Sequence, residues 1–310
     1  MPGKRFWRTR YKLYYNLMMA HDVMQAALWR MIAPAVDDEA FQSAYRMIFV
    51  LGCGRSGTTI FSRCLGQHPD IVELNEPKHI WIGTNREADV LSPFARLSGG
   101  RLRFDHRDVT EKIRARYRAM VDFHVKRRSP IVCDKLPFNT CSVGYVAALN
   151  PTAKFIHLQR SPRAVALSIE QCVRRDGSWW GFNDYKWRAL CRCAADYPEL
   201  DRLIPFAVDD YYRGLVEWRI NQHLAKADLS MLEPGRHIDV FYEDFIADPE
   251  HVSQRVCAFC EVPFDNAVAD YVSANIRPRS TVDDGSRRSV EDDRLHAEIL
   301  GDFDDIKKWA

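Results

Sequence analysis

The residues with the clearest potential for chemistry form the segment Gly52–Thr59, whose sequence is Gly-Cys-Gly-Arg-Ser-Gly-Thr-Thr. An apolar run, Met47–Leu51, precedes it and an amphipathic segment follows, so the sequence predicts a strand, a tight loop and a helix N-terminus. The backbone N–H groups of such a loop and the helix dipole bind phosphate-like anions. The spacing follows the nucleotide P-loop pattern, but Thr58 replaces the lysine that reaches the β- and γ-phosphates, and the strong cation is Arg55.

A second candidate anion site follows another predicted strand. Arg160 comes directly after the apolar segment Lys154–Gln159, and Ser161 and Pro162 then form a typical helix start. Ser168 stands eight residues after Arg160, inside that predicted helix. A lone arginine at a strand end more often pairs with a surface carboxylate. The helix start and the serine hydroxyl favour a bound phosphate here instead.

Two further charged residues, each following a predicted strand, are candidates for acting on a bound anion. Lys135 can stabilise a leaving-group oxygen as negative charge builds on it. Glu76 follows the second predicted strand and is a group that can accept a proton, as are its neighbours Glu73 and His79. The competing interpretation makes Lys135 an exposed strand-end residue and Glu76 a solvated loop residue.

Strand and helix signals alternate along the chain. The predicted strands are Met47–Leu51, Ile71–Glu73, Pro130–Asp134, Lys154–Gln159 and His237–Tyr242. This alternation predicts an α/β fold of the three-layer P-loop type, in which helices flank a central parallel sheet. Ligands of such sheets bind at the carboxyl ends of the strands. The anion loop, Lys135, Arg160 and Tyr242 are all predicted to lie there.

The composition narrows the class of protein. The chain has 310 residues and is 46% hydrophobic, which predicts an N-terminal helical segment (residues 1–45), one large domain (46–275) and a C-terminal tail or lid (276–310). The net charge of +2 argues against a nucleic-acid partner. The nine cysteines and the absence of a signal-peptide pattern favour reduced thiols and a cytoplasmic protein. Cys257 and Cys260 fit core packing better than a zinc site, and no metal site is predicted.

The N-terminal segment is basic, aromatic and amphipathic. Residues 1–12 contain five Lys or Arg residues and no acid. Apolar residues then recur near helical spacing at Leu13, Leu17, Met24, Leu28 and Met31. Such a helix can lie on an anionic membrane surface, which would place the protein on the inner membrane surface. The favoured alternative is a helix packed on the domain, and no run is long and apolar enough to span a bilayer.

Four elements resemble those of sulfotransferases that use 3′-phosphoadenosine 5′-phosphosulfate (PAPS). Gly52–Thr59 is similar to the loop that binds the 5′-phosphosulfate, and Arg160–Ser168 to the motif that binds the 3′-phosphate. Asp134–Pro137 resembles the Lys-x-Pro element of bacterial and Golgi-type members. Val240–Phe245, followed by Ala247–Pro249, resembles their Tyr-Glu-Asp-Leu segment. These elements occur in the family's order within residues 45–262.

The resemblance implies PAPS as co-substrate, 3′-phosphoadenosine 5′-phosphate (PAP) as product, and no metal ion. It implies these donor-binding residues: Gly54, Arg55, Ser56, Gly57, Thr58, Thr59, Arg160, Ser168 and Tyr242. It also implies catalytic roles for Arg55, Lys135 and Glu76, because tyrosylprotein-type members have a carboxylate base at the place of Glu76.

The acceptor is read from aromatic residues and from the same resemblance. Trp81, Trp179 and Trp180 suit stacking against sugar rings, although core packing is the alternative for each. Bacterial members commonly sulfate glycans, lipopolysaccharide or glycolipids, which favours such a hydroxyl here. A tyrosyl peptide is the alternative acceptor. A P-loop kinase or NTPase and a non-catalytic PAP-binding scaffold are the alternatives of another class.

Overall fold

The computed structural model of the chain describes residues 4–126, 130–177, 179–277 and 290–301, and for residues 4–12, 290 and 291 it describes the backbone alone. The strands are β1 (Arg46–Leu51), β2 (Ile71–Asn75), β3 (Ile131–Lys135), β4 (Lys154–Gln159) and β5 (His237–Phe241). The helices are α1 (Lys4–Ile32), α2 (Asp38–Ala44), α3 (Thr58–Leu65), α4 (Lys78–Thr84), α5 (Ala95–Ser98), α6 (Glu111–Val125), α7 (Val143–Leu149), α8 (Pro162–Asp176), α9 (Tyr185–Ala195), α10 (Pro198–Asp201), α11 (Asp210–Leu229), α12 (Tyr242–Ala247), α13 (Pro249–Phe259), α14 (Asn266–Asn275) and α15 (Val290–Leu300).

The five strands form one parallel sheet in the order β2-β3-β1-β4-β5. After β1 the chain builds β2 and β3 on one side, and after β3 it crosses to build β4 and β5 on the other. The loops that follow β1 and β4 therefore meet at the switch point, where parallel α/β sheets bind ligands. The predicted α/β fold with a central parallel sheet is confirmed. β2 ends at Asn75, two residues beyond its predicted end at Glu73.

Both faces of the sheet are buried because successive side chains of each strand point to opposite sides. On one face, Phe49 stacks on Phe155 at 5.5 Å between ring centroids, in a core shared with α4, α6 and α7. On the other face, Ile48 and Val50 pack with residues of α3, α13 and α14. This two-sided core holds the strand ends, and the loops that follow them, in fixed positions.

A third core packs α8 and α9 against α11 and α15. Gly214 of α11 lies so close to α8 that an added Cβ would stand 3.0 Å from Cα of Ala166. This close approach fixes α8, the helix that carries Ser168. In the predicted C-terminal tail, α15 packs on α11 through buried Leu295 and Ile299, while residues 278–289 and 302–310 lie outside the described residues. The division at residues 45 and 275 stays a prediction.

The N-terminal helix α1 packs on the domain, against α4, α6 and α8. Its contact face includes the buried residues Met19 and Ala26. The five apolar residues at helical spacing lie elsewhere on the helix and are exposed: Leu13, Leu17, Met24, Leu28 and Met31. Within the part of the chain that the structure describes, no helix is long and apolar enough to cross a membrane.

Candidate functional site

The anion loop joins β1 to the N-terminus of α3 and turns through unusual backbone angles. Gly57 has φ 88°, and the non-glycine Arg55 has φ 74°. Positive φ in a non-glycine residue is uncommon and clusters at functional sites. Ser56 is fully buried, and its Oγ has no hydrogen-bond partner among the described residues. The loop thus presents an unsatisfied hydroxyl beside the free N–H groups of a helix start.

Two aromatic rings lie against this loop. A Cβ on Gly57 would overlap the ring of Tyr242, and a Cβ on Gly54 would stand 2.8 Å from a ring carbon of Trp179. Trp179 is held in place by a hydrogen bond from Nε1 to Glu217 Oε2 (2.8 Å) and by the ammonium of Lys186, 4.0 Å from its ring centroid. Glycine is therefore required at both loop positions for the aromatic rings to approach.

The second cation site adjoins the loop. Arg160 Nη1 donates to the carbonyl of Arg55 (2.9 Å), and Arg55 Nε donates to Ser168 Oγ (3.0 Å). The guanidinium of Arg160 lies 4.5 Å from the ring centroid of Tyr242, and its Nε is buried without a hydrogen-bond partner among the described residues. Burial, together with the charge of Arg55, lowers the pKa of Arg160, against the influence of Tyr242 and Glu243. The structure thus joins residues that the sequence places more than a hundred positions apart.

The third group of charges combines Lys135 with Glu76. Lys135 is fully buried at the end of β3, and its Nζ donates to Glu76 Oε1 (3.0 Å) and to Thr59 Oγ1 (3.1 Å). Glu76 has φ 52°, and its N–H donates to the carbonyl of Lys135 (2.8 Å). Lys135 therefore bridges the candidate base and the helix that begins at the anion loop.

Lys78 is a site residue that the sequence analysis missed. Its Nζ donates to Glu76 Oε2 (2.7 Å), so Glu76 lies between two ammonium groups. Burial would raise the pKa of Glu76, but the charges and hydrogen bonds of Lys78 and Lys135 outweigh it and lower that pKa to about 2. Burial lowers the pKa of Lys135, in part offset by Glu76. The sequence Glu76-Pro77-Lys78, which leads into α4, places Lys78 two residues after Glu76 and could have indicated this contact.

The two alternative bases have other partners. Glu73 accepts a hydrogen bond from Ser62 of α3. His79 Nε2 lies 3.2 Å from His124 Nδ1 and its ring packs edge-on against Trp29, away from the loop contacts that Lys135 makes. Burial, followed by the charge of His124, lowers the pKa of His79 to about 4. Glu76 is the carboxylate that contacts Lys135 directly.

The three tryptophans differ in position. Trp81 is 4% exposed and donates to Asp134 Oδ2 (2.9 Å), and Trp180 is 4% exposed and donates to Asp210 Oδ1 (2.8 Å). Both are core residues that leave almost no indole surface for an acceptor. Trp179 is half-buried beside the anion loop. Among the three tryptophans, Trp179 is therefore the one with partly exposed indole surface beside the anion loop.

Cys53 lies within the anion loop as a buried free thiol, and the cysteines show no arrangement of metal ligands among the described residues. All nine cysteines are free thiols, and Cys257 and Cys260 are buried in the core next to α3. Over residues 4–126, 130–177, 179–277 and 290–301, no group of three or more His, Cys, Asp or Glu side chains is arranged to hold a metal ion.

Comparison with known proteins agrees with this geometry. A sequence model of the sulfotransferase family matches residues 47–266. The chain belongs to the sulfotransferase family. Protein-tyrosine sulfotransferase 1 of Danio rerio is 26% identical over 226 residues, which are 72% of this sulfotransferase and 55% of the Danio rerio protein. An uncharacterized protein of Aquifex aeolicus (strain VF5) is 27% identical over 242 residues, 76% of this chain and 28% of that protein. The chain thus spans about half the length, or less, of these relatives.

A solved structure shows the same fold. Sulfotransferase STF9 from Mycobacterium avium has a TM-score of 0.54 to this chain at 15% identity, and the match covers 84% of this chain and 77% of that one. The family predicted from the anion loop and the Arg160 motif is confirmed.

Proposed function

We propose that this sulfotransferase moves a sulfuryl group from PAPS to a hydroxyl group of an acceptor. The observation that carries the proposal is the bridge made by Lys135 between Thr59, at the anion loop, and Glu76. One ammonium group can thus act on the donor while the carboxylate that it contacts acts on the acceptor. A kinase would use a loop lysine and Mg²⁺ on a triphosphate, and Thr58 occupies that lysine position.

The two cation sites fit the two charged ends of PAPS. We assign the 5′-phosphosulfate to Arg55 and the loop from Gly54 to Thr59, where Ser56 Oγ is an unused donor. We assign the 3′-phosphate to Arg160 and Ser168, where Arg160 Nε is a second unused donor. Buried polar groups are almost always hydrogen-bonded, so these two atoms support a polar ligand at this site. Tyr242, which contacts both parts, completes the proposed donor site.

The proposed reaction is an in-line displacement at sulfur. The acceptor oxygen forms a new O–S bond as the bond between sulfur and the bridging phosphate oxygen breaks, and the acceptor proton passes to Glu76. Lys135 and Arg55 stabilise the charge that develops on the bridging and sulfuryl oxygens. We propose that these cations suffice without a metal ion, so a chelator should leave turnover unchanged.

Two acceptor classes are in competition. We propose a glycan, lipopolysaccharide or glycolipid hydroxyl, supported by the aromatic face of Trp179 beside the loop. The names of relatives such as protein-tyrosine sulfotransferase 1 of Danio rerio support a tyrosyl peptide instead. Peripheral membrane contact through the N-terminal segment would favour a lipid-linked acceptor.

A transfer assay with ³⁵S-labelled PAPS tests the proposal. The purified chain is incubated with lipopolysaccharide, glycolipids, soluble glycans and tyrosyl peptides, each with the wild type and with Lys135→Met. We expect label in one acceptor class with the wild type and a loss of about 10²–10³-fold in the variant. PAP binding without transfer to any acceptor would favour the scaffold alternative. Binding of ATP with Mg²⁺ but not of PAP would favour the kinase alternative.

A further inference from the structure

Helix α1 carries an apolar surface that no described part of the domain covers. Its exposed apolar residues are Leu13 (60% exposed), Tyr14 (60%), Leu17 (61%), Met24 (68%), Leu28 (54%), Met31 (84%) and Ile32 (53%). Residues three, four and seven positions apart share one face of a helix. We call this surface the outer stripe. It runs along a 29-residue helix whose other face packs on the domain.

A cationic cleft adjoins the outer stripe. It has a volume of about 690 Å³ and lies between α1, α4, the segment of residues 85–98 and α6. The cations that line it are Arg30, Arg86, Lys112 and Arg116. Val23 and Ala27 of α1 line it as well, and Ala27 is a surface neighbour of both Met24 and Met31 on the helix. The stripe and the cleft therefore form one continuous surface.

The cleft is lined by four cations and by two carboxylates, Glu87 and Asp89, so its lining carries a net positive charge. Within the described residues, none of its four cations makes an ion pair. The two lining carboxylates have other partners, because Glu87 pairs with Arg101 (2.6 Å) and Asp89 accepts hydrogen bonds from Ser92 and from the N–H of Leu91. Burial, and then the charges of Arg116 and Arg86, lower the pKa of Arg30. An anion in the cleft would relieve this repulsion.

Apolar side chains also line the cleft. Phe94 is 42% exposed, and Leu97 in α5 is 85% exposed. The cations therefore share the cleft with exposed apolar side chains, and the outer stripe adjoins it. A soluble anion would satisfy the charges and leave these apolar side chains in water. An acidic lipid surface offers headgroup charge and acyl chains together.

We propose that the outer stripe and the cationic cleft dock this protein on an anionic lipid bilayer. Acidic headgroups occupy the cleft, and the stripe, with Phe94 and Leu97, enters the boundary between headgroups and acyl chains. The sequence of residues 1–12 contains five Lys or Arg residues and no acid, a composition that favours anionic lipid. The proposal concerns where the protein binds, so it stands or falls independently of the transfer reaction.

Docking would also place the candidate site near the bilayer. A smaller cavity lies next to the cleft, and Ile82 and Asp89 line both. Lys78, the first residue of α4, also lines the smaller cavity and contacts Glu76.

Vesicle flotation with the full chain tests the proposal. Vesicles of phosphatidylcholine alone are compared with vesicles of equal parts phosphatidylcholine and phosphatidylglycerol. We expect binding to the anionic vesicles only, and release at high salt.

Two variants test the cleft and the outer stripe separately. Arg86→Glu reverses a charge in the cleft and should weaken binding roughly 30-fold, while Arg202→Glu, at an exposed position elsewhere, should not weaken it. Met31→Glu should weaken binding at least about tenfold, with Met231→Glu, equally exposed, as its control.

Three results would overturn the proposal. The first is equal flotation with neutral and anionic vesicles. The second is equal binding by Arg86→Glu, Met31→Glu and their controls. The third is a wild-type dimer in light scattering that Met31→Glu converts to a monomer, because the outer stripe would then be an interface between copies of the chain. Circular dichroism of each variant establishes that a loss of binding is not a loss of fold.

Discussion

Glu76 is held ionised by two lysines that have different surroundings. Lys135 is buried and also contacts Thr59, whereas Lys78 is half-buried and lies at the start of α4. The fold lowers the pKa of Glu76. Its ion pairs therefore stabilise the folded protein at any pH above the ordinary pKa of a glutamate. That stabilisation is lost as the pH falls through about 2. In the proposed mechanism, a donor oxygen that drew Lys135 away from Glu76 would raise the pKa of Glu76 and make it a stronger base.

Replacing Glu76 by Gln tests its role as the base. We expect kcat to fall about 10²–10⁴-fold because the acceptor proton has no carboxylate to accept it. PAP binding should persist, since Arg55 and Arg160 are untouched. The measurements are turnover with ³⁵S-labelled PAPS and the thermal shift caused by PAP. Glu73→Gln is the matched control, and a larger loss of turnover in the control would assign the base to Glu73.

Lys78 contributes, together with Lys135, to the lowered pKa of Glu76. Removing its charge in Lys78→Met should raise the pKa of Glu76 from about 2 toward its ordinary value. The acidic limb of the pH profile of kcat/KM should then move to higher pH by about one to two units. Arg202→Met removes an equal charge at an exposed position outside the site and the cleft, and it should leave that limb in place. An unmoved limb in Lys78→Met would show that another group controls it.

At the scale of elements, the sequence predicts those helices, strands and turns that depend on the period of apolar residues and on the residue types of turns. The alternating strands, the loop before α3 and the helix start at Pro162 follow from local patterns and are present in the structure. The period of α1 indicates an apolar face, but it does not tell whether that face meets the domain or solvent. Likewise, composition does not separate the core residue Trp180 from its neighbour Trp179 at the loop. Those distinctions arise from packing between distant segments.

The anion loop and the start of α12 contact each other through the ring of Tyr242. A substitution that adds one methyl group to the loop tests this contact. Gly57→Ala adds a Cβ that overlaps the ring of Tyr242, which begins α12. We expect the loop to shift and PAP binding to be lost. Gly235→Ala is the matched control, because Gly235 has a similar φ of 83° and its Cβ would meet nothing within 4 Å. Both variants carry the backbone strain of about 1 kcal/mol, so only the overlap separates them.

Equal thermal shifts with PAP in the two glycine variants would contradict this account. The loop would then bind its ligand without depending on the close approach of the ring. Melting temperatures measured without ligand should fall in both variants because of the positive φ, and further in Gly57→Ala because the overlap with Tyr242 adds to that strain.

At the scale of the whole molecule, the site depends on elements from across the chain. The parallel sheet brings the loop after β1 and the residue after β4 to one edge, and α11 holds α8 behind them. A ligand that bridges Arg55 and Arg160 therefore ties together segments that separate on unfolding. Binding of this kind raises the free energy of unfolding of the entire domain by mass action.

PAP should stabilise the chain by about 2.7 kcal/mol at a hundredfold excess over its Kd, which for a chain of 310 residues corresponds to a rise in Tm of roughly 4 °C. Arg160→Ala should remove most of this rise, because it deletes the cation that we assign to the 3′-phosphate. Arg174→Ala is the matched control, since Arg174 lies at the other end of α8 and pairs with Glu170 (2.8 Å).

ADP lacks the 3′-phosphate, so it should raise the Tm of the wild type less than PAP does. The rise caused by ADP should be the same in Arg160→Ala as in the wild type. If Arg160→Ala reduced the PAP and ADP shifts equally, the 3′-phosphate would lie elsewhere, and the order of the two anion sites would have to be reversed.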